Sequence, residues 1–195
     1  MTVWEGPVYP GHHARKTPDK AAAIHARTGE VLTYAELDAR SNRLAQLMWA
    51  QGLRPGDHVA VFLENHLSYF EVAWASFRSG LHLTTVNRYL TGPEAAYIVD
   101  DCGARVLVSS QAVHEAAARI PGQAPACERF LVVGGPPQDA SGHFESYEAA
   151  LDAHPAEPLA EEPLGEFMLY SSGTTGRPKG IARPLSGRPV SGGLT

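Results

Sequence analysis

Residues 169–180 read Leu-Tyr-Ser-Ser-Gly-Thr-Thr-Gly-Arg-Pro-Lys-Gly, setting four serine and threonine hydroxyls, three glycines and a lysine just after an apolar stretch. This is the composition of a loop that grips phosphate. Glycines let backbone amides approach an anion without an intervening Cβ, hydroxyls add donors, and a lysine adds a mobile positive charge. The nucleotide loop of P-loop NTPases needs four residues between its glycines and then Gly-Lys-Ser/Thr. Here only Thr174 and Thr175 separate Gly173 from Gly176, and Lys179 is followed by Gly180 instead of a hydroxyl, so the spacing excludes that loop. The plain alternative is a polar surface loop, because Ser, Gly, Thr and Pro clusters are what loops are made of. Hydroxyl and glycine density together with the closing Pro178-Lys179-Gly180 favours phosphate.

The elements that must position this run alternate between two periodicities. Thr33 and Glu36 have capping-box spacing, and Leu37, Leu44, Leu47 and Met48 follow on one helical face with Gly52 as a stop. Residues 59–63, Val-Ala-Val-Phe-Leu, are a short unalternating apolar run, as expected of a strand buried on both faces of a parallel sheet. A helix is expected over 68–79, ending at Gly80; its Tyr69, Phe70, Trp74 and Phe77 are read as core. A strand follows at 81–85, then a second capping box at Thr91 and Glu94 opening a helix with Tyr97 and Ile98. Strands at 105–109, 130–133 and 167–170 and helices at 111–120 and 147–153 complete the pattern, with 134–142 and 154–165 read as surface connections. Strands separated by helical stretches of about ten residues argue for βαβ units, an α/β chain with a largely parallel sheet and flanking helices.

Composition narrows the function classes. With 195 residues, 44% hydrophobic and 19% charged, the chain can bury a sizeable core as one domain. Lys and Arg number 16 against 21 Asp and Glu, a net charge of −5, and the basic residues are scattered, so the stripe of a nucleic-acid binder is lacking. Cys102 and Cys127 form no CxxC pair and the nine histidines have no metal spacing, so neither a disulfide framework nor a zinc site is expected. No apolar run approaches the eighteen or so residues that span a bilayer, and residues 1–6 show no signal-peptide pattern, so the expected location is cytoplasmic.

Tyr170 through Gly180 closely resembles the phosphate-binding signature of the adenylate-forming, AMP-binding superfamily, which includes acyl-CoA synthetases, nonribosomal peptide synthetase adenylation domains and luciferases. The segments 32–37, 57–65, 86–91 and 100–107 resemble further family segments in the same order. The resemblance implies a fatty-acid–CoA-ligase-type N-terminal portion: 1–195 as an incomplete AMP-binding domain, its phosphate loop at 170–180, and the C-terminal lid domain beyond residue 195. Only fifteen residues follow Gly180, without an evident closing element, so a cut is expected there. The resemblance also implies that Ser171, Ser172, Gly173, Thr174, Thr175, Gly176 and Lys179 surround the ATP phosphates, with Ser171 as a magnesium ligand. Substrates are then a carboxylic acid, ATP and coenzyme A, joined through an acyl-adenylate to give a thioester. The sequence departs from the pattern at Ser171, where many members have Thr, and in 181–184, which lacks the histidine many members carry. Adenine, ribose and acyl contacts fall downstream, so the isolated chain is expected to be inactive. The alternatives are an inert remnant or nucleotide-binding module, or part of another adenylating enzyme such as a peptide synthetase adenylation domain.

Overall fold

The structure, a computed structural model, describes residues 9–135, 142–171 and 177–192. Its centre is a seven-stranded sheet in the order β7-β6-β5-β3-β4-β8-β9. The strands are β3 (His58–Phe62), β4 (His82–Thr85), β5 (Ala104–Ser110), β6 (Arg129–Val133), β7 (Phe144–Ser146), β8 (Glu166–Ser171) and β9 (Lys179–Ala182). Every neighbouring pair is parallel except the last, β8 against β9. A separate antiparallel hairpin pairs β1 (Ala21–Ile24) with β2 (Val31–Thr33), after helix α1 (Pro10–Lys16).

Helices cover both faces of the sheet. Successive strand residues point to opposite faces. Val59 and Val61 of β3, Val106 and Val108 of β5, and Leu131 and Val133 of β6 therefore share one core with α2 (Tyr34–Ala50), α3 (Ser68–Arg78) and α6 (Tyr147–Asp152). The alternate residues Ala60, Phe62, Leu107, Phe130 and Val132 share the other core with α4 (Gly92–Asp101) and α5 (His114–Ala117). A strand apolar on both faces gives the unalternating runs that mark it as central.

Both expected capping boxes form. The Thr33 hydroxyl accepts from the Glu36 amide at 3.2 Å while the Thr33 amide donates to the Glu36 carboxylate at 2.8 Å. At α4 the Thr91 amide and hydroxyl both donate to Glu94, at 2.8 and 2.6 Å. The expected helix over 111–120 is shorter: a 3-10 turn over Gln111–Val113, then the single α-turn of α5, closed by tighter bonds from Arg119 to Ala116 and Ile120 to Ala117. Pro121 and Gly122 leave no room to extend it. Of the helical aromatics, Phe77 is core, Tyr69 and Trp74 are partly buried against it, and Phe70 is 45% exposed.

The stretch 154–165 is more than a surface connection. Its Glu162 reaches the fully buried Arg78 of α3, an ion pair at 3.4 Å, while Asp38 of α2 meets the same guanidinium at 2.6 Å and Asn42 also accepts from it. Tyr9 donates its hydroxyl to Glu162 at 2.7 Å. This buried cluster straps the segment leading into β8 to two helices, and removing one partner of such a cluster costs about 3–5 kcal/mol.

Candidate phosphate site on the β8–β9 hairpin

All parallel strands run the same way, so their carboxyl ends lie along one edge of the sheet, the edge where open α/β sheets bind ligands. On that edge the Ser110 hydroxyl, at the end of β5, donates to the carboxylate of Glu64, just past β3. β8 ends at the same edge with Ser171, the described first hydroxyl of the glycine- and hydroxyl-rich run. β8 pairs with β4 through His82 and Glu166, Leu83 and Phe167, and Thr84 and Met168, and then continues beyond β4. The chain returns as β9, so that Tyr170 faces Gly180 and Ser171 faces Lys179.

The sequence places β9 in a loop; the structure makes it an edge strand. Lys179, Gly180, Ile181 and Ala182 are all exposed, so no apolar pattern announces the strand. Gly180 leaves space that the Met168 and Tyr170 side chains occupy. A Cβ there would stand 3.0 Å from the Tyr170 ring and closer still to the Met168 methyl. The absent side chain lets Tyr170 lie across β9 and reach α4, where its hydroxyl donates to Asp101 at 2.6 Å. Burial, and then that bond, raise the Tyr170 phenol far above its usual range, so it remains a donor.

The far shoulder of the hairpin is tied to the same helix. Tyr97 donates its hydroxyl to the Pro178 carbonyl at 3.2 Å, and the Arg177 guanidinium lies 5.2 Å from the Tyr97 ring centroid. Asp101 is also 3.5 Å from the Tyr97 hydroxyl. A phenol has one proton, so it serves one of these two acceptors at a time, and the Pro178 contact is the shorter.

Two of the expected site residues, Ser171 and Lys179, are thus brought directly across from one another, both exposed, at the mouth of the hairpin. Ser172, Gly173, Thr174, Thr175 and Gly176 lie outside the described residues. Sequence reading missed Tyr97 and Asp101. They lie 81 and 69 positions from their partners, and on α4 they resemble ordinary helix-face residues. A depression of about 640 Å³ between α4 and the α5 region is lined by Arg88, Thr91, Arg119 and Gln123 and reaches neither Ser171 nor Lys179. Among the described residues there is no group of three or more His, Cys, Asp or Glu able to hold a metal ion, and no helix is long and apolar enough to cross a membrane.

A largely parallel sheet with helices on both faces, finished at one side by the antiparallel β8–β9 pair, defines an open-sheet α/β chain whose ligands are expected at the carboxyl edge. The profile of the AMP-binding enzyme family matches residues 11–185, and the chain belongs to that family. It is 32% identical over 169 residues to a fatty acid–[acyl-carrier-protein] ligase of Streptomyces coeruleorubidus, covering 87% of this chain and 31% of that protein. A feruloyl-CoA synthase of an Amycolatopsis species is 36% identical, with 88% and 32% covered. The anthranilate CoA ligase AuaEII, solved with anthranoyl-AMP, superposes with a TM-score of 0.72 at 25% identity, over 93% of this chain and 36% of that one. The chain spans about a third of the length of these proteins.

Proposed function

We propose that this chain is the phosphate-holding portion of an ATP-dependent carboxylic acid–CoA ligase. In the first step a carboxylate oxygen attacks the α-phosphorus of ATP, the bond to the bridging oxygen breaks, and acyl-adenylate and pyrophosphate form. In the second, the coenzyme A thiolate attacks the acyl carbon and AMP leaves, giving the thioester. The register pair of Ser171 with Lys179 on the carboxyl edge carries this reading. Two anions must meet in the first step while the leaving group gains charge, so the protein's contribution is placement and neutralisation. Lys179 supplies a compact cation for the outer phosphates, and Ser171 supplies a hydroxyl on the opposite strand. Ser172, Gly173, Thr174, Thr175 and Gly176 are proposed as further phosphate contacts on the strength of their residue types.

Magnesium would arrive on the triphosphate. Among the described residues, an exposed Ser171 hydroxyl opposite a lysine, with no cluster of three or more carboxylates, histidines or cysteines, fits an ion that would keep its waters and phosphate oxygens and take few ligands from the protein. Ser171 is the residue that would provide one, and the ion would neutralise charge on the leaving pyrophosphate.

Relatives named for coenzyme A support it as acceptor, and the one named for an acyl-carrier protein shows that the acceptor varies within the family. The 195-residue chain holds only the phosphate end of the reaction in this reading, and it should bind ATP–magnesium without catalysing acid-dependent exchange of pyrophosphate into ATP. Titration calorimetry with ATP–magnesium, beside an exchange assay with and without fatty acid, tests both halves. A chain that ignores ATP loses the phosphate reading, and acid-dependent exchange by the chain would mean that the remaining contacts lie within these 195 residues.

A further inference from the structure

We propose that Tyr97 and Asp101 of α4 are positioning residues for phosphate capture, clamping the two shoulders of the β8–β9 hairpin so that Ser171 and Lys179 face one ligand. The inference rests on the phosphate reading of that hairpin. It also explains features that reading leaves unused. Tyr170 precedes Ser171 and is held by Asp101 at 2.6 Å; Pro178 precedes Lys179 and is held by Tyr97 at 3.2 Å. Both anchors lie on one helix, four residues apart and so on one face. Arg177 over the Tyr97 ring adds a third tie, and Gly180 makes room for the Tyr170 ring that the first tie requires.

Without these ties the mouth would be free. β9 is an edge strand paired only with β8, and its four residues are exposed. β4 stops supporting β8 at Met168, three residues before Ser171. A two-stranded extension with no third neighbour is marginal by itself. α4 is rigid by contrast, capped by Thr91 and Glu94 and buried through Ala95, Ile98 and Val99. Neither Tyr97 nor Asp101 needs to touch the ligand; Tyr97 fixes the Pro178 carbonyl beside Lys179, and Asp101 fixes the Tyr170 side chain beside Ser171. Anchoring before binding means that ordering the two strands is not charged to the ligand.

The test measures inorganic pyrophosphate binding to the 195-residue chain by calorimetry, with hydrogen exchange of the Ser171 and Lys179 amides read in the absence of ligand. Tyr97→Phe, which removes one oxygen and keeps the ring, and Asp101→Ala should each weaken pyrophosphate binding about threefold to tenfold, the range of one lost hydrogen bond. Exchange at both amides should quicken while the ligand-free melting temperature stays near the parent's. Asp101→Asn, whose amide oxygen still accepts from Tyr170, should recover most of the loss. In a Lys179→Ala background Tyr97→Phe should cost little more, because residues acting through a shared group are not additive. Parent-like affinity and exchange in both variants would overturn the clamp while the phosphate reading stands. Additive losses on the Lys179→Ala background would overturn it too, assigning Tyr97 a direct contact. A parent chain that binds no pyrophosphate overturns the phosphate reading, and the clamp with it.

Discussion

Lys179 begins an exposed edge strand, where a lysine is ordinary, so its proposed phosphate role is decided by ligand binding and not by its exposure. A charge-assisted bond to phosphate is worth about 1.5–3 kcal/mol, so Lys179→Ala should weaken ATP binding roughly tenfold to more than a hundredfold. Lys179→Arg should recover only part of this, because a planar fork differs from a compact ammonium on a flexible stem. Calorimetric titration of the three chains decides it, and equal affinities would make Lys179 a solvated surface residue. The proposal of Lys179 as a phosphate ligand comes from sequence, where Pro178-Lys179-Gly180 closes a run rich in hydroxyls and glycines. Its partner across the strands was not legible there. The pairing with Ser171 depends on β9, four exposed residues without periodicity.

Elements with a strong period or a cap were legible: α2 and α4 from their capping boxes, β3 and β6 from short runs that need apolar cover on both faces. Among the elements of three or four residues, β4 was expected at 81–85, but most others were not. β1, β2, β7 and β9 owe their existence to a neighbour's backbone, which leaves little mark on composition. The junction that carries β8 to β4 was likewise hidden. A Cβ on Gly165 would collide with the Leu81 carbonyl oxygen and stand 2.8 Å from that of Ser76, and Gly165 donates its own amide to Phe77. Neither obstacle is a side chain that can swing away, so Gly165→Ala must shift β8 or the end of α3. Overpacking of this kind costs about 1–3 kcal/mol, to be read as a lower urea midpoint with unchanged slope. An unchanged midpoint would show that the β4–β8 junction has slack. Because β8 leads to the hairpin, the same variant should also bind pyrophosphate more weakly in proportion to any displacement of Ser171.

At the scale of the whole molecule, the edge of the sheet opposite the candidate phosphate site carries a titratable pair. His58 and His82 are register partners at the starts of β3 and β4, their rings stacked at 4.8 Å and 22°, and the Nδ1 atom of each is buried without a hydrogen-bond partner. Burial, and for His58 the neighbouring His82, lowers both from the ordinary imidazole value near 6.5; Asp57 opposes this at His58 and Glu166, the next residue across the sheet, opposes it at His82. Asp57 itself is engaged by Arg105 at 3.2 Å. His154 is lowered as well, by burial and then Arg129. A group lowered in the folded state binds its proton more readily when unfolded, so stability is full above the unfolded value and falls as pH drops through it toward the folded values. Glu36, Glu94, Glu128 and Glu148, also lowered, act in a separate window, since their contribution is lost only as pH falls below the ordinary carboxylate value of 4.5. Each proton discriminated is worth at most about 1.4 kcal/mol per pH unit, less where solvent screens a partly exposed ring. Urea unfolding from pH 8 to 5.5 should therefore show stability declining toward acid, and the double variant His58→Phe/His82→Phe, which keeps two stacked rings and removes the protons, should flatten that decline. The loss should spread to β8 through the His82 and Glu166 register, so amide exchange along β8 should rise with acid in the parent and less in the variant. Identical pH profiles for the two proteins would show that the stacked pair takes up its protons at no cost to the fold.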